Sequence, residues 1–241
     1  MIEGIDVSKY QGKIDWQKVV DGGLVQFAVA KATERKGVDP RFKDNWDGIK
    51  KVGLLRGAYH FARTNRTFVE EAEHFLKSIG SVEAEDVLVL DIEESTIKNL
   101  EFTTWVLGWL EYVEKKSGKI PFIYTYGPFW ETHVGKPSLE VVAKFQEYPL
   151  WLAAYTKDPE KFVPKIWKKL GWTLWQKSGN IAAPGEPLLF VPGITGVVDR
   201  NIFRGTLPEL KKIVLNLHGP IDGGLGDALT SITDPSKEPN S

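Results

Sequence analysis

The chain has 241 residues, of which 42% are hydrophobic and 26% charged, so it is long enough to bury one sizeable core. Its net charge of −1 provides no basic surface for nucleic acid, and its lack of cysteine excludes disulfides and thiolate metal sites. No apolar run approaches the roughly 20 residues that a membrane-spanning helix needs. We therefore expect a globular protein with neither a nucleic-acid nor a membrane partner.

Short apolar runs rich in β-branched residues recur along the chain and predict eight strands. They extend over Ile2 to Val7, Val25 to Lys31, Leu54 to His60, Val87 to Glu93, Pro121 to Tyr126, Leu150 to Tyr155, Trp172 to Gln176 and Thr195 to Asp199. Helical patterns lie over Asp15 to Gly22, Phe42 to Lys51, Phe68 to Ile79, Thr103 to Ser117 and Leu207 to Leu217. Thr67, a hydroxyl residue ahead of two glutamates, predicts where the third helix begins. Strands that alternate with helices favour a parallel sheet, and eight of them favour a closed TIM-like (β/α) barrel.

The last third of the chain follows this alternation less regularly. Gly and Pro are concentrated between Gly179 and Gly193, where no full helix is expected. From Gly219 to Ser241 the chain is polar and rich in Gly and Pro, which is typical of linkers. The sequence therefore predicts an α/β barrel of eight mostly parallel strands, irregular in its last third, over residues 1–218. A linker or disordered tail over residues 219–241 would follow it.

Four acidic residues stand where predicted strands end: Asp6, Asp91, Glu93 and Asp199. In a parallel barrel the active site forms at the carboxyl ends of the strands. Asp91 and Glu93 are two residues apart, so their side chains project from the same face of a strand. Crowding raises the pKa of at least one such carboxyl group. Glycoside hydrolysis needs this difference, because it uses one protonated acid and one ionised carboxylate.

Each of these acids also has an ordinary structural interpretation. A lone aspartate such as Asp6 or Asp199 commonly forms a turn or caps a helix. The Asp91/Glu93 pair is harder to explain in that way, because burying two unpaired carboxylates is costly. Carboxylates can also bind Mg²⁺ or Ca²⁺, but the chain has no loop of regularly spaced oxygen ligands. We predict no metal and no other cofactor.

Eight short motifs follow one another between about residue 3 and residue 215. They are GIDVSKYQG from residue 4, AKATE from 30, GAYHF from 57, LDIE from 90, PFIYT from 121, LWLA from 150, LWQ from 174 and VDRN from 198. Together they resemble glycoside hydrolase family 25, the lysozymes related to the Chalaropsis-type enzyme and to many phage endolysins. The resemblance implies a partly irregular β/α barrel acting on bacterial peptidoglycan. Its activity would be cleavage of the β-1,4 bond between N-acetylmuramic acid and N-acetylglucosamine.

The same resemblance implies roles for the four acids. Glu93 would be the general acid. Asp91 would be a second catalytic carboxylate, which either orients the substrate's acetamido group or acts as a base. Asp6 and Asp199 would be supporting acids in the same mouth. Attack by the acetamido group and direct attack by water both stay open.

Further residues near the predicted strand ends are candidates for binding substrate. They are Tyr59, Tyr124, Tyr126, Glu34, His60, Trp151, Tyr155, Trp175 and Gln176. The aromatic residues among them suit either core packing or contact with a sugar face, and Tyr59 and Tyr124 are the favoured sugar contacts. His60 has an ordinary pKa near neutrality, but a hydrogen-bonded core role is its expected one.

Two other functions and the cellular setting stay open at this point. A catalytically silent glycan-binding barrel would have no need to keep every acid. A chitinase-type glycosidase acting on N-acetylglucosamine polymers would carry a longer acidic strand motif than residues 87–93 do. No signal peptide precedes the first predicted strand. We expect a monomeric phage-type lysin made in the host cytoplasm and acting on the cell wall, or a secreted protein in mature form.

Overall fold

The chain folds into strands and helices that alternate along most of its length. The computed structural model describes residues 1–179, 185 and 187–215. The strands are β1 (Ile2–Val7), β2 (Val25–Glu34), β3 (Gly37–Val38), β4 (Leu55–Phe61), β5 (Val87–Asp91), β6 (Phe122–Thr125), β7 (Leu150–Ala153), β8 (Leu174–Ser178) and β9 (Asp199–Phe203). The α-helices are α1 (Trp16–Asp21), α2 (Phe42–Lys51), α3 (Phe68–Ile79), α4 (Asn99–Ser117), α5 (Gly127–Val134), α6 (Leu139–Gln146) and α7 (Leu207–Val214).

Eight of the strands close into a barrel. Their order is β1-β9-β8-β7-β6-β5-β4-β2, and a pairing between β1 and β2 completes the circle. The remaining strand, β3, is a two-residue extension paired with the end of β2. Six of the eight neighbouring pairs are parallel, and the two that involve β9 are antiparallel. The predicted TIM-like barrel of mostly parallel strands is confirmed.

The eighth barrel strand lies later and runs in the opposite direction from the prediction. We predicted a strand over Thr195 to Asp199, ending at the acid, whereas β9 begins at Asp199. Gly193 and Gly196 have φ angles of +88° and +85°, so the preceding residues form turns rather than a strand. Because β9 is antiparallel to its neighbours, its first residue lies at the same barrel mouth as the last residues of the parallel strands.

The predicted helices differ in how closely their bounds match the structure. The α2 and α3 bounds are as predicted, whereas α4 begins at Asn99 rather than Thr103, and α5 and α6 were not predicted. The predicted closing helix corresponds to α7, but its last two residues, the domain limit at residue 218 and the tail over 219–241 lie outside the described residues. Among the helices that the structure describes, none is both long and apolar enough to cross a membrane.

Strand side chains alternate between the inside of the barrel and the layer beneath the helices. The inner cluster contains Phe27, Val89 and Trp151, while alternate residues such as Ile5 and Leu90 belong to a larger outer cluster. Gly4 is required inside the barrel, because a Cβ atom there would lie 2.3 Å from the ring of Phe27. This alternation decides which strand residues can reach the barrel mouth.

Thr67 caps α3 in the way that the sequence predicted. Its Oγ1 accepts a hydrogen bond from the Glu70 backbone N–H at 3.2 Å, and Glu70 Oε2 accepts one from the Thr67 N–H at 3.1 Å. We expect Thr67→Ala to lower the free energy of unfolding by about 0.5–2 kcal/mol, measured by urea denaturation. Thr132→Ala is the matched control, because the exposed Thr132 hydroxyl donates to the Pro128 carbonyl oxygen within its own helix. Equal losses in the two variants would contradict the capping role.

Candidate active site

A cleft of about 200 Å³ opens at the mouth of the barrel. Its lining consists of Asp6, Val7, Ser8, Tyr10, Gln11, Lys31, Tyr59, Phe61, Val89, Asp91, Glu93, Tyr124, Trp151, Gln176 and Asp199. The structure therefore brings together the four acids predicted from the sequence. They come from three places on the barrel: β1, the end of β5 and the start of β9.

Asp91 and Glu93 form one half of this acidic centre. Asp91 is the last residue of β5 and is buried, and no hydrogen-bond partner for its Oδ1 occurs in the described part of the chain. Burial, and then the charge of Glu93, raise the pKa of Asp91 well above its ordinary value. Burial, and then the charge of Asp6, raise the pKa of Glu93. The positive charge of Lys31 opposes both rises.

Asp6 and Asp199 form the other half, and they are hydrogen-bonded to each other. Asp6 Oδ2 also accepts hydrogen bonds from Asn201 Nδ2 at 2.7 Å and from Gln176 Nε2 at 2.9 Å. Burial raises the pKa of Asp6, while these hydrogen bonds oppose the rise. Burial, and then the charge of Asp6, raise the pKa of Asp199 to about 9. The two carboxyl groups therefore hold a proton between them at neutral pH.

Two tyrosines join this network through Gln176. The hydroxyl groups of Tyr124 and Tyr155 both donate to Gln176 Oε1, at 2.8 and 2.9 Å. Tyr124 also packs edge-on against Trp151, with ring centroids 5.1 Å apart and an interplanar angle of 81°. Three of the predicted substrate-binding residues, Tyr124, Trp151 and Gln176, thus lie in the cleft wall, and Tyr155 lies beside it.

Tyr59 also lies in the cleft, whereas Tyr126 does not. Burial, and then the charge of Asp6, raise the pKa of Tyr59 well above its ordinary value, so its hydroxyl keeps its proton. Tyr126 precedes α5, is 37% exposed and packs against Phe129 with centroids 5.6 Å apart. In this structure Tyr126 therefore stands outside the acidic centre.

Two predicted substrate-binding residues, His60 and Trp175, are on the wrong face of their strands. His60 is 0% exposed, its ring nitrogens are hydrogen-bonded to Thr33 and Glu71, and its ring stacks on Trp109 beneath the helices. Trp175 is 8% exposed and donates to the backbone of residue 154. Strand alternation turns both away from the mouth, while Tyr59 and Gln176 beside them face inward. His60 therefore has the hydrogen-bonded core position that the sequence analysis expected of it, and neither His60 nor Trp175 lines the cleft in this structure.

Glu34 does not line the cleft but belongs to an ion-pair cluster at its edge. Its carboxylate accepts hydrogen bonds from Lys31 Nζ at 2.6 Å and from Arg63 at 2.7 Å. Arg63 also pairs with Glu94. Lys31 and Arg63 both lie over the ring of Phe61, at 4.7 and 4.6 Å from its centroid. Glu34 thus holds the positive charge of Lys31 beside the acids.

Sequence reasoning missed three residues of the site: Lys31, Tyr10 and Asn201. Lys31 and Tyr10 line the cleft, and Asn201 is bonded to Asp6. A signal existed for two of them. Lys31 lies two residues beyond the inward-facing Val29, and Asn201 lies two residues beyond Asp199, so strand periodicity places both on the inner face. Tyr10 is 79% exposed and follows β1, where no periodicity applies.

The arrangement can supply protons and stabilise positive charge without a metal. Within the described residues, no three His, Asp or Glu side chains are grouped as metal ligands would be. The carboxyl groups instead differ in their pKa values through burial and mutual repulsion, which is the electrostatic requirement of acid-catalysed glycoside cleavage. A β/α barrel with four acids in an aromatic-lined mouth defines the class of carboxylate glycosidases.

Comparison with known proteins identifies the family within this class. The sequence profile of "Glycosyl hydrolases family 25" matches residues 5–186, and the chain therefore belongs to this family and is a glycoside hydrolase. The protein YegX of Escherichia coli strain K12 is 38% identical over 220 residues, covering 88% of this chain and 73% of YegX. Lysozyme M1 of Streptomyces globisporus is 32% identical over 227 residues, covering 89% and 72%. The crystal structure of the bacterial lysozyme from Streptomyces coelicolor matches with a TM-score of 0.77 and 31% identity, covering 90% and 98%.

Proposed function

We propose that this protein is a lysozyme, an N-acetylmuramidase that acts on bacterial peptidoglycan. The bond cleaved would be the β-1,4 bond between N-acetylmuramic acid and N-acetylglucosamine. The observation that carries the proposal is the Asp91/Glu93 pair at the end of β5, inside a cleft that also holds Asp6 and Asp199. Its similarity to Lysozyme M1 and to the Streptomyces coelicolor lysozyme supports this substrate class.

In this proposal Glu93 is the general acid. Its pKa is raised by burial and by Asp6, so the carboxyl group stays protonated at a pH where an exposed glutamate is ionised. Glu93 is also only half-buried, so it can approach the glycosidic oxygen of a bound glycan. It would donate its proton to that oxygen as the bond to the anomeric carbon breaks.

Asp91 is the assisting carboxylate in this proposal. As the glycosidic bond breaks, positive charge develops at the anomeric carbon, and an ionised carboxylate stabilises it. Asp91 Oδ1 is a buried acceptor without a partner in the described residues, so it can accept a hydrogen bond from the substrate or from the attacking group. The rings of Tyr59, Tyr124 and Trp151 provide apolar faces for the sugars.

Product analysis tests the function. Purified peptidoglycan would be digested, and the new ends identified by mass spectrometry after borohydride reduction. We expect reduced N-acetylmuramic acid ends and no release of free peptide amino groups. Reduced N-acetylglucosamine ends would assign the other glycosidic bond, and preferential cleavage of chitin would favour the chitinase-type alternative. Binding to the wall without new ends would favour the catalytically silent barrel.

The pH dependence follows from the directions of the pKa shifts. Activity requires one proton on the Asp91/Glu93 pair, carried by Glu93 in the reactive form. Because burial raises the pKa of both groups, activity should fall as the pair loses that proton at higher pH, and it should fall again as the pair takes up a second proton at lower pH. We therefore expect a bell-shaped profile of kcat/KM with its optimum on the acidic to neutral side. A profile that still climbs above about pH 9 would contradict carboxyl acid catalysis, because glutamate is fully ionised there.

Lys31 offers a direct check of the same electrostatics. Its charge lowers the pKa of both Asp91 and Glu93, so we expect Lys31→Met to move both limbs of the profile to higher pH. Lys116→Met is the matched control, since that lysine lies on α4 over the ring of Tyr112. A shift in the control, or unchanged limbs in Lys31→Met, would argue against this role of Lys31.

We further propose that the protein acts as a monomer on the cell wall, as a lysin or as a secreted enzyme. Each cleft residue described above comes from one chain, so catalysis does not call for a second copy. Sedimentation equilibrium across a range of concentrations would test the monomer. Fractionation of producing cells would test the location.

A further inference from the structure

Two neutral amides contact the Asp6/Asp199 pair unequally. Trp151 Nε1 is a donor only, and it lies 2.9 Å from Asn201 Oδ1. The amide oxygen of Asn201 must therefore face the indole, and its NH₂ group must face Asp6 Oδ2, 2.7 Å away. Asn201 is 0% exposed, so water cannot replace these partners. Asp6 Oδ2 is consequently an acceptor and carries no proton.

Gln176 presents a second donor to the same oxygen. Its Oε1 accepts the hydroxyl hydrogens of Tyr124 and Tyr155, which leaves its Nε2 to donate. That donor lies 2.9 Å from Asp6 Oδ2 but 3.4 Å from Asp199 Oδ2, so the stronger bond goes to Asp6. Two buried amides therefore favour the ionised form of Asp6, whereas the amide contact to Asp199 from the described residues is the longer one from Gln176.

We propose that Asn201 and Gln176 are positioning residues that keep Asp6 ionised and place the shared proton of the pair on Asp199. A hydrogen bond between two carboxyl groups needs one proton. The two amide donors on Asp6 Oδ2 stabilise the charged form of Asp6 more than the one longer amide contact stabilises the charged form of Asp199. Burial and the charge of Asp6 raise the pKa of Asp199, in agreement with a protonated Asp199.

Apart from the amides of Asn201 and Gln176, six acidic groups in the described part of the chain face Asp6 across the mouth of the barrel. They are Asp91, Glu93, Asp199, Tyr59, Tyr124 and Tyr155. Lys31 and Arg63 lie on the Glu93 side and lower the pKa of Glu93. In this setting an ionised Asp6 is a fixed negative charge that favours the protonated form of Glu93. This consequence rests on the proposed function, since it links Asn201 and Gln176 to the protonation of Glu93, the proposed general acid.

Carboxyl ¹³C NMR titration of the free protein tests the proposal without any substrate. The Asp6 signal is assigned by its loss in Asp6→Asn, and the Asp199 signal by its loss in Asp199→Asn. We expect the wild-type Asp6 carboxyl to ionise at a lower pH than that of Asp199. In Asn201→Leu the midpoint of Asp6 should rise by about one pH unit, because the charged form loses one hydrogen-bond donor.

Asn45→Leu is the matched control for Asn201→Leu. Asn45 is a buried asparagine on α2 that does not line the cleft, so the same substitution there should leave both midpoints unchanged. Ionisation of Asp199 before Asp6 in the wild-type protein would overturn the proposal. So would an Asp6 midpoint that does not move in a folded Asn201→Leu variant. If Asn201→Leu fails to fold, the proposal is tested by the order in which Asp6 and Asp199 ionise in the wild-type protein.

Enzyme kinetics supply a second readout that a merely structural role would not move. When Asp6 is more easily protonated, less negative charge faces Glu93, so the basic limb of the kcat/KM profile in Asn201→Leu should shift to lower pH. An unmoved limb would contradict the link to Glu93. An inactive wild-type protein would contradict the proposed function instead, while the NMR midpoints would still test the proton assignment.

Discussion

Glu93→Gln is expected to fold normally, to bind glycan and to lose about 10²–10⁴-fold in kcat, which is the usual contribution of general acid catalysis. The amide keeps the size of the half-buried side chain but has no proton to donate to the leaving oxygen. Turnover would be measured on soluble peptidoglycan fragments, and binding by sedimentation with purified walls. Turnover near that of the wild-type protein would remove Glu93 from this role.

An activated substrate sharpens this test. In a nitrophenyl glycoside of the disaccharide, the nitrophenol leaves as a stable phenolate when the bond to the anomeric carbon breaks, so cleavage needs little help from a general acid. Glu93→Gln should therefore recover much of its activity on the nitrophenyl substrate, while a variant with a damaged cleft should not. Glu94→Gln is the matched control: its carboxylate is exposed and pairs with Arg63, so both substrates should be cleaved at the wild-type rate.

Asp91→Asn is expected to lose activity of a similar order, about 10²–10⁴-fold, but without recovery on the nitrophenyl substrate. A good leaving group replaces the proton donor. It does not replace a carboxylate that stabilises positive charge or assists the attacking group. The contrast between the two variants therefore separates the acid from the assisting carboxylate. If Asp91→Asn regained activity on the activated substrate, Asp91 rather than Glu93 would be assigned as the general acid.

Stability should move in the opposite direction from activity in Asp91→Asn. The pKa of Asp91 is raised in the folded protein, so the folded state binds a proton more tightly than the unfolded chain does. Ionised Asp91 therefore lowers the stability as the pH rises above the ordinary aspartate pKa, and this cost is absent at lower pH. We expect Asp91→Asn to melt at the wild-type temperature or above it near pH 7. This advantage should disappear below about pH 4, where Asp91 is protonated in both the folded and the unfolded protein.

Strand alternation explains much of what could be predicted from the sequence. The apolar run ahead of Asp91 marks a buried strand, and a spacing of two residues is enough to place Glu93 on the same face. The same rule, applied to every strand, separates Tyr59 from His60 and Gln176 from Trp175. His60 and Trp175 were included among the candidates because residues at a strand end were grouped by position along the chain rather than by face.

The direction of β9 could not be obtained in this way. Asp199 was predicted as the end of a parallel strand, and it reaches the mouth because it begins an antiparallel one. A local pattern of apolar residues has no direction, since the pairing of β9 with β1 joins residues almost 200 positions apart. The prediction placed Asp199 at the mouth for the wrong structural reason.

The sequence by itself determined the class of barrel, the shared face of Asp91 and Glu93 and the cap of α3, because each depends on short-range periodicity or on a few neighbouring residues. The distribution of protons among the four carboxyl groups depends on the tertiary structure. Asp6 is 195 residues from Asn201 and 170 residues from Gln176, and it lies within 3 Å of both amides. Hydrogen bonds and charges act over distances of a few ångströms in space, so closure of the barrel sets the pKa values on which the chemistry depends.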